Sequence, residues 1–225
     1  MGTFTEELKR RTEKADEVVL SRMPEAKGYQ QTVLEAMDYS VRVGGKRLRP
    51  VMMQAACEMC GGKGEDVEAF MAALEIVHNY SLVHDDLPEI DNDDLRRNMP
   101  TTHKKYGQAM AVLAGDALLN YAYEIISREL SFRPLADLEK YIYAFRYFAD
   151  KAGIFGMVGG QVVDVEAEKI GRKLSEEEIL FIDENKTAAF LQSALVIGGV
   201  IGGCDEDQRK ILEQIGYNLG IAFQI

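Results

Sequence analysis

From His84 to Arg97 the chain reads His-Asp-Asp-Leu-Pro-Glu-Ile-Asp-Asn-Asp-Asp-Leu-Arg-Arg, six acidic side chains followed at once by two guanidinium groups. Carboxylates at this density repel one another unless divalent cations sit between them, and arginines beside them suit polyphosphate oxygens. A diphosphate bridged by magnesium satisfies both halves. A solvated helix end is the plainer account of any charge run. Against it, this run follows an apolar helical stretch, Phe70 to Val83, and is interrupted by Pro88. Its basic pair also comes last, instead of being interspersed for i, i+4 pairing.

On a continuous helix Asp85 and Asp91 would point about 240° apart and could not share a cavity. Pro88 should kink, bulge or end the helix, which lets Asp91 swing back toward Asp85. Magnesium takes one or two protein carboxylates and fills its octahedron with water and phosphate oxygens, so Asp85 and Asp91 are the expected ligands. Asp86 is secondary, while Asp93 and Asp94 orient arginines or lie in solvent. His78, two turns before Asp85 on nearly the same face, is too far to share that metal but is placed to meet a second anion. As a lone histidine on an apolar helix it also reads as a satisfied core residue.

A second cationic cluster, Gly44-Gly45-Lys46-Arg47-Leu48-Arg49-Pro50, favours the anion reading. Lys46 and Arg49, three residues apart, are expected to converge on one anion, helped by amides at a helix start. The spacing is not that of a nucleotide-binding phosphate loop. Gly159-Gly160-Gln161 with Asp164 implies close backbone approach on a helix. Lys186-Thr187 lies in an otherwise apolar stretch, so Lys186 either meets an anion or snorkels to the surface.

These residues need elements to position them, and helical periodicity dominates the chain. Helices are expected over Glu6–Ser21, Gln30–Val41, Pro50–Cys60, Glu65–His84, Gln108–Leu130, Ala136–Lys151 and Phe155–Glu168. Ser175 with Glu178 is a capping box opening a helix over Glu176–Gly202, and Asp205 with Gln208 opens a last helix running to the chain end. The fold class is all-α, a packed bundle with its functional groups projecting inward. With 225 residues, 47% of them hydrophobic, a single domain over residues 1–225 is the simplest organisation.

The net charge of −11 argues against a nucleic-acid partner. Met1 to Leu20 is charged throughout and carries no signal-peptide pattern. No uninterrupted apolar stretch reaches membrane-spanning length, Ala188–Cys204 being the nearest approach and reading as a core helix. Cys57, Cys60 and Cys204 lack a second pair or histidines at zinc spacing and read as reduced core thiols of a cytoplasmic protein. Few polar groups interrupt Phe70–Val83, which suits a dry pocket.

Together these segments resemble the trans-prenyltransferase (polyprenyl diphosphate synthase) family, and within it the bacterial farnesyl diphosphate synthases. The resemblance runs the length of the chain: GGKRLRP at 44–50, HNYSLVHDDLPEIDNDDLRR at 78–97, PTTHKKYG at 100–107, LAGDALL at 113–119, GGQVVD at 159–164, NKTAAF at 185–190 and GIAFQI at 220–225. It implies an isoprenoid-synthase-type bundle with a central catalytic cavity, three magnesium ions, a homodimer, and head-to-tail condensation of isopentenyl diphosphate with dimethylallyl or geranyl diphosphate. By motif position, Asp85 and Asp91 with Asp86 form the first metal site. Arg96, Lys186, Thr187 and Gln224 bind the allylic diphosphate or support its ionisation, and Lys46, Arg49, His78 and Arg97 bind isopentenyl diphosphate. Tyr80 and Ser81 set product length, a bulky Tyr80 together with the lengthened DDxxxxD spacing implying the C15 product, farnesyl diphosphate.

The family's second aspartate-rich motif follows directly on the pair that is Phe223-Gln224 here, and the sequence ends at Ile225. The expectation is therefore a C-terminally truncated form that binds metal poorly, with a catalytically silent partner subunit as the alternative. A terpene cyclase would share an acidic motif but would not need Lys46, Arg49 and His78 for a second diphosphate.

Overall fold

The computed structural model describes residues 3–224, and these are helical almost throughout. The helices are α1 (Phe4–Ser21), α2 (Gln31–Arg42), α3 (Leu48–Met59), α4 (Glu68–Asp85), α5 (Thr102–Tyr106), α6 (Gln108–Phe132), α7 (Leu135–Ala152), α8 (Met157–Ile170), α9 (Glu176–Ile182), α10 (Ala189–Gly202) and α11 (Glu206–Ala222). Between α4 and α5 lies a two-stranded antiparallel ribbon, β1 (Leu95–Arg96) with β2 (Met99–Pro100).

Both capping boxes read in the sequence form. The Glu178 amide donates to Ser175 Oγ at 3.2 Å and the Gln208 amide to Asp205 Oδ1 at 2.8 Å, each with the reciprocal bond back to the cap amide. These side chains satisfy first-turn amides that no helical carbonyl reaches. Three expected boundaries are corrected. The helix expected from Glu65 begins at Glu68, after a 3₁₀ turn over Gly64–Val67. The helix expected from Pro50 starts at Leu48, which leaves Pro50 inside the first turn, where its missing N–H costs nothing. The helix expected over Glu176–Gly202 is divided by a π-helical segment, Asp183–Ala188, in which the Ala189 amide reaches Glu184 O. A one-residue insertion of this kind leaves no mark on hydrophobic periodicity.

The chain folds into two compact units, residues 3–48 with 69–128 and residues 49–68 with 129–224. In the first, α4 is buried nearly without interruption from Ala69 to Tyr80. Its buried set includes Glu75 and Asn79, so the stretch expected to be almost free of polar groups encloses a charge. Tyr121 Oη donates to Arg22 O at 2.7 Å and Tyr39 Oη to Pro100 O at 2.7 Å, tying α6 to the end of α1 and α2 to the ribbon.

In the second unit α10 is the central helix, with 12 of its 14 residues buried, as an all-round apolar helix should be. Small residues let its neighbours approach. A Cβ on Gly198 would fall 2.2 Å from Met53 O of α3, and one on Gly216 of α11 would fall 2.6 Å from Gln192 Cα. Cys57 is buried, donates to Lys63 O at 3.3 Å, and burial pushes its pKa up to about 11. Cys60 and Cys204 are only half-buried, a correction to the expectation that all three thiols lie in the core.

Among the described residues the helix that by length and composition would suffice to cross a membrane is α6, not the Ala188–Cys204 stretch. Its small residues and few charges make it apolar along its length, and it is partly buried inside the protein.

Gly198→Ala tests the α3–α10 contact. Alanine in place of glycine within a helix ordinarily stabilises by roughly 0.5–1 kcal/mol. Here urea unfolding should instead show a loss of about 1–3 kcal/mol, because the methyl must displace Met53 O. A rise in unfolding free energy would contradict the packing.

Candidate functional site

The residues singled out by sequence divide between the units. Lys46, His78, Tyr80, Ser81, Asp85, Asp86, Asp91, Arg96 and Arg97 belong to the first; Arg49, Lys186, Thr187 and Gln224 belong to the second.

In the first unit α4 ends at Asp85, three residues ahead of Pro88, and the chain closes a loop upon itself. The Asp91 amide donates to Asp85 O at 2.9 Å, the Ile90 amide to Leu87 O at 2.9 Å, and the Asn92 amide to Leu87 O at 3.0 Å. Asn92 takes a left-handed φ of 54° to complete the reversal, a conformation asparagine adopts more readily than most residues. The backbone of Asp91 thus returns to that of Asp85 across the break that Pro88 implied.

Asp86, expected as the secondary ligand, is paired with an arginine. It is 3% exposed and receives Arg96 through both carboxylate oxygens, Nε at 2.8 and 3.0 Å and Nη2 at 2.5 Å. A buried carboxylate so engaged orients an arginine. The pairing raises the Arg96 pKa above its ordinary value, against the opposing effect of burial. Of the two aspartates expected to orient arginines, Asp93 stands 3.7 Å from Arg96 and Asp94 instead pairs with Lys104 at 2.6 Å, both exposed.

Arg96 ends β1, and Arg97-Asn98 forms the two-residue turn that joins it to β2 in register Leu95↔Pro100 and Arg96↔Met99. Both turn residues have positive φ, 52° and 64°, the geometry of a type I′ hairpin that normally selects Asn-Gly. An arginine in the first position is a strained choice, and such strain gathers where function requires a side chain in one place. Thr101 anchors the base of the ribbon, its hydroxyl donating to Asp93 O at 2.8 Å.

The GGKR loop precedes α3. Lys46 is exposed, whereas Arg47 is 2% exposed and donates to Asp16 Oδ1 at 2.8 Å, Glu75 Oε1 at 2.9 Å and Val41 O at 2.8 Å. Burial opposes its charge, but Glu75 and Asp16 outweigh that, leaving its pKa above the usual arginine value. Nothing in the sequence separated Arg47 from its basic neighbours. The one available hint was Glu75, an acidic residue inside an apolar run.

His78 is half-buried on α4, and Ser81 Oγ is turned back to His78 O at 2.9 Å. Tyr80 is buried, with its ring edge-on to His84 at 5.5 Å between centroids. Burial, and then the carboxylate of Asp85, push its phenol pKa up, so it stays neutral. His84 Nε2 lies 3.2 Å from Val112 O, an approach open only because Gly115 has no side chain: a Cβ there would sit 2.0 Å from Nε2.

In the second unit Lys186 and Thr187 lie in the π-helical segment. Lys186 Nζ donates to Asp164 Oδ2 at 2.6 Å, so the anion its position called for is the carboxylate at the end of the GGQVVD stretch. The close approach read from the glycines is the same feature, since a Cβ on Gly160 would fall 2.6 Å from Lys186 N. Gln224 Nε2 donates to Thr187 Oγ1 at 2.6 Å, and Tyr217 Oη donates to Glu184 Oε1 at 2.6 Å, fastening α11 to the segment. Arg49 of α3 has its guanidinium 6.0 Å from the Phe190 ring centroid, at the limit of a cation–π contact.

Among the described residues no three His, Cys, Asp or Glu side chains form a ready-made metal cage. The loop offers two carboxylates, Asp85 half-buried and Asp91 exposed, and this oxygen pair fits magnesium, which completes its shell with water and phosphate.

Residues 30–225 match the profile of the family described as Polyprenyl synthetase. The chain is 40% identical over 211 residues to the farnesyl diphosphate synthase of Geobacillus stearothermophilus, covering 94% of this chain and 70% of that protein. It is 42% identical over 192 residues to the heterodimeric geranylgeranyl pyrophosphate synthase large subunit 1 of Arabidopsis thaliana, covering 85% of this chain and 52% of that one. It therefore spans about half the length of the plant relative. The crystal structure of an FPP/GFPP synthase from Zymomonas mobilis superposes with a TM-score of 0.90 at 34% identity, over 98% of this chain and 78% of that chain.

Asp86→Asn should leave Arg96 without its charged partner. Thermal and urea unfolding are expected to show a loss of about 1–3 kcal/mol, the range for hydrogen bonds to charged groups. An unchanged stability would mean that the Asp86–Arg96 pairing does not persist in solution.

Proposed function

This chain belongs to the polyprenyl synthetase family, and we propose that it is a head-to-tail prenyltransferase that condenses isopentenyl diphosphate with dimethylallyl or geranyl diphosphate to give farnesyl diphosphate and diphosphate. The observation that carries this reading is the closure of Asp91 onto Asp85, with Arg96 held by Asp86 immediately behind them. This supports Asp85 and Asp91 as the carboxylates that would hold magnesium, with the guanidinium of Arg96 oriented by Asp86. The chemistry that magnesium held by Asp85 and Asp91 supplies is neutralisation of the charge gathering on a departing diphosphate.

The chain's own groups account for the rest. Arg96, Lys186, Thr187 and Gln224 bind the allylic diphosphate and stabilise its negative charge as the allylic C–O bond breaks with both electrons going to oxygen. Lys186 is held in place by Asp164, and Thr187 by Gln224, so neither must be ordered at the moment of reaction. Lys46, Arg49, His78 and Arg97 bind isopentenyl diphosphate, whose double bond attacks the allylic carbon to form the new C–C bond. The resulting cation loses a proton to the released diphosphate. No protein nucleophile takes part, and the cation requires exclusion of water.

The apolar stretch of α4 supports the C15 product. Tyr80 stands about 7.5 Å before Asp85 along the helix, at about 1.5 Å per residue. It is buried and braced by His84, as a floor beneath a growing chain should be. Relatives named for farnesyl and for geranylgeranyl products are similarly close in sequence, so this residue, and not overall identity, is the basis for C15. The reading carries a homodimer with it.

Incubation with magnesium, radiolabelled isopentenyl diphosphate and geranyl diphosphate should yield a C15 diphosphate, and chelation should abolish it. Failure to bind either diphosphate would remove the proposal. Tyr80→Ala should lengthen the product to C20 or beyond by chromatography; an enzyme that still stops at C15 would refute the floor.

A further inference from the structure

Arg47 lies in a basic segment, yet no ligand can reach it. Its side chain is 1% exposed, and its Nε, Nη1 and Nη2 are committed to Asp16 of α1, Glu75 of α4 and the carbonyl of Val41. Three anchors from three helices meet in one planar group, a task for which a lysine ammonium lacks the geometry. The backbone is strained to reach this position, Gly44 at φ 83° and Arg47 itself at φ 47°.

The same loop touches a cation expected to bind ligand. The guanidinium of Arg97 lies against the backbone of Gly45, where an added Cβ would fall 2.8 Å from Nη1 and 2.9 Å from Nη2. Arg97 also senses Glu75 favourably, and Arg47 and Arg96 unfavourably, so the three guanidiniums are near neighbours. Like charges stay together before any anion arrives only if buried counter-charges hold them. Glu75, 2% exposed, and Asp86, 3% exposed, are those counter-charges. Asn79 Nδ2 donates to the backbone carbonyl of Glu75 at 2.7 Å, within α4 itself.

We propose that Arg47 is a positioning residue: clamped by Asp16 and Glu75, it fixes the Gly44–Lys46 loop and, through Gly45, the guanidinium of Arg97, so that a diphosphate meets cations already arranged. This rests on the diphosphate reading above. The advantage is preorganisation, since ordering long cationic side chains at the moment of binding would subtract from affinity. The clamp acts through Arg97 and Lys46 and does not touch substrate itself.

The test is calorimetric, on the chain as it stands. The Kd for isopentenyl diphosphate and for inorganic diphosphate is measured without magnesium, and that for geranyl thiodiphosphate with magnesium, alongside thermal melting. Arg47→Lys keeps the charge but loses the fork. Gly45→Ala leaves the clamp intact and pushes Arg97 aside from an exposed loop, so it remains informative if Arg47→Lys fails to fold. Both should weaken isopentenyl diphosphate by roughly tenfold, the equivalent of one charged hydrogen bond. Geranyl thiodiphosphate should lose clearly less, because its Arg96 is held by Asp86 and not by the Gly45 loop. Equal losses for both ligands with a lowered melting temperature would reduce Arg47 to a structural pair, and no loss for either would overturn the proposal. A wild-type chain that binds inorganic diphosphate but not isopentenyl diphosphate would overturn the substrate assignment alone, the clamp then being judged on inorganic diphosphate. Binding of neither would overturn both.

Discussion

Charge crowding is the constraint on which the first unit depends. Arg47, Arg96 and Arg97 are near neighbours, and the acidic loop that follows α4 adds Asp85, Asp86 and Asp91 within a few residues. Desolvating any one of these alone would cost several kcal/mol, so each buried member needs a partner. The structure pairs them by depth. Glu75 and Asp86, the deepest carboxylates, take Arg47 and Arg96, while the amide of Asp91 donates to the carbonyl of the shallower Asp85.

Backbone irregularity serves the same end in both units. Among the described residues four non-glycine residues have positive φ, and each lies in one of two places: Arg47 in the GGKR loop, and Asn92, Arg97 and Asn98 around the acidic loop and its hairpin. In the second unit the irregularity is the π-helical segment, which carries Lys186 and Thr187 between two ordinary helices. A widened turn shifts the face on which following residues project and opens backbone groups to new partners, and such turns recur at functional sites. The regular helices supply burial, and the breaks between them set direction.

Much of this was legible in sequence because it is local. The boxes at Ser175 and Asp205, the break ahead of Pro88 and the close approach at Gly160 each follow from residue type and spacing within a few turns, whereas for Lys186 spacing left an anion and the solvent as alternatives. The π segment was not legible, since Ile182 and Ala188 to Ile197 keep an apolar pattern through it. The hairpin was not legible either, because Arg97-Asn98 carries none of the glycine that a type I′ turn normally shows. A tertiary demand overrides a local preference there.

What the sequence by itself determined was the inventory: an all-α chain, an acidic loop able to fold back, a basic loop before a helix, and the family they indicate. What only the tertiary structure decided was which of several equivalent side chains does which task. Arg47, and not Lys46 or Arg49, became the buried anchor. Asp86, and not Asp94, became the main partner of Arg96. Residues of one type in one short segment share the same local propensities, and they differ only in what lies across from them. That is settled by helices such as α1 and α4, tens of residues away along the chain, through burial and the cost of leaving a desolvated charge unpaired.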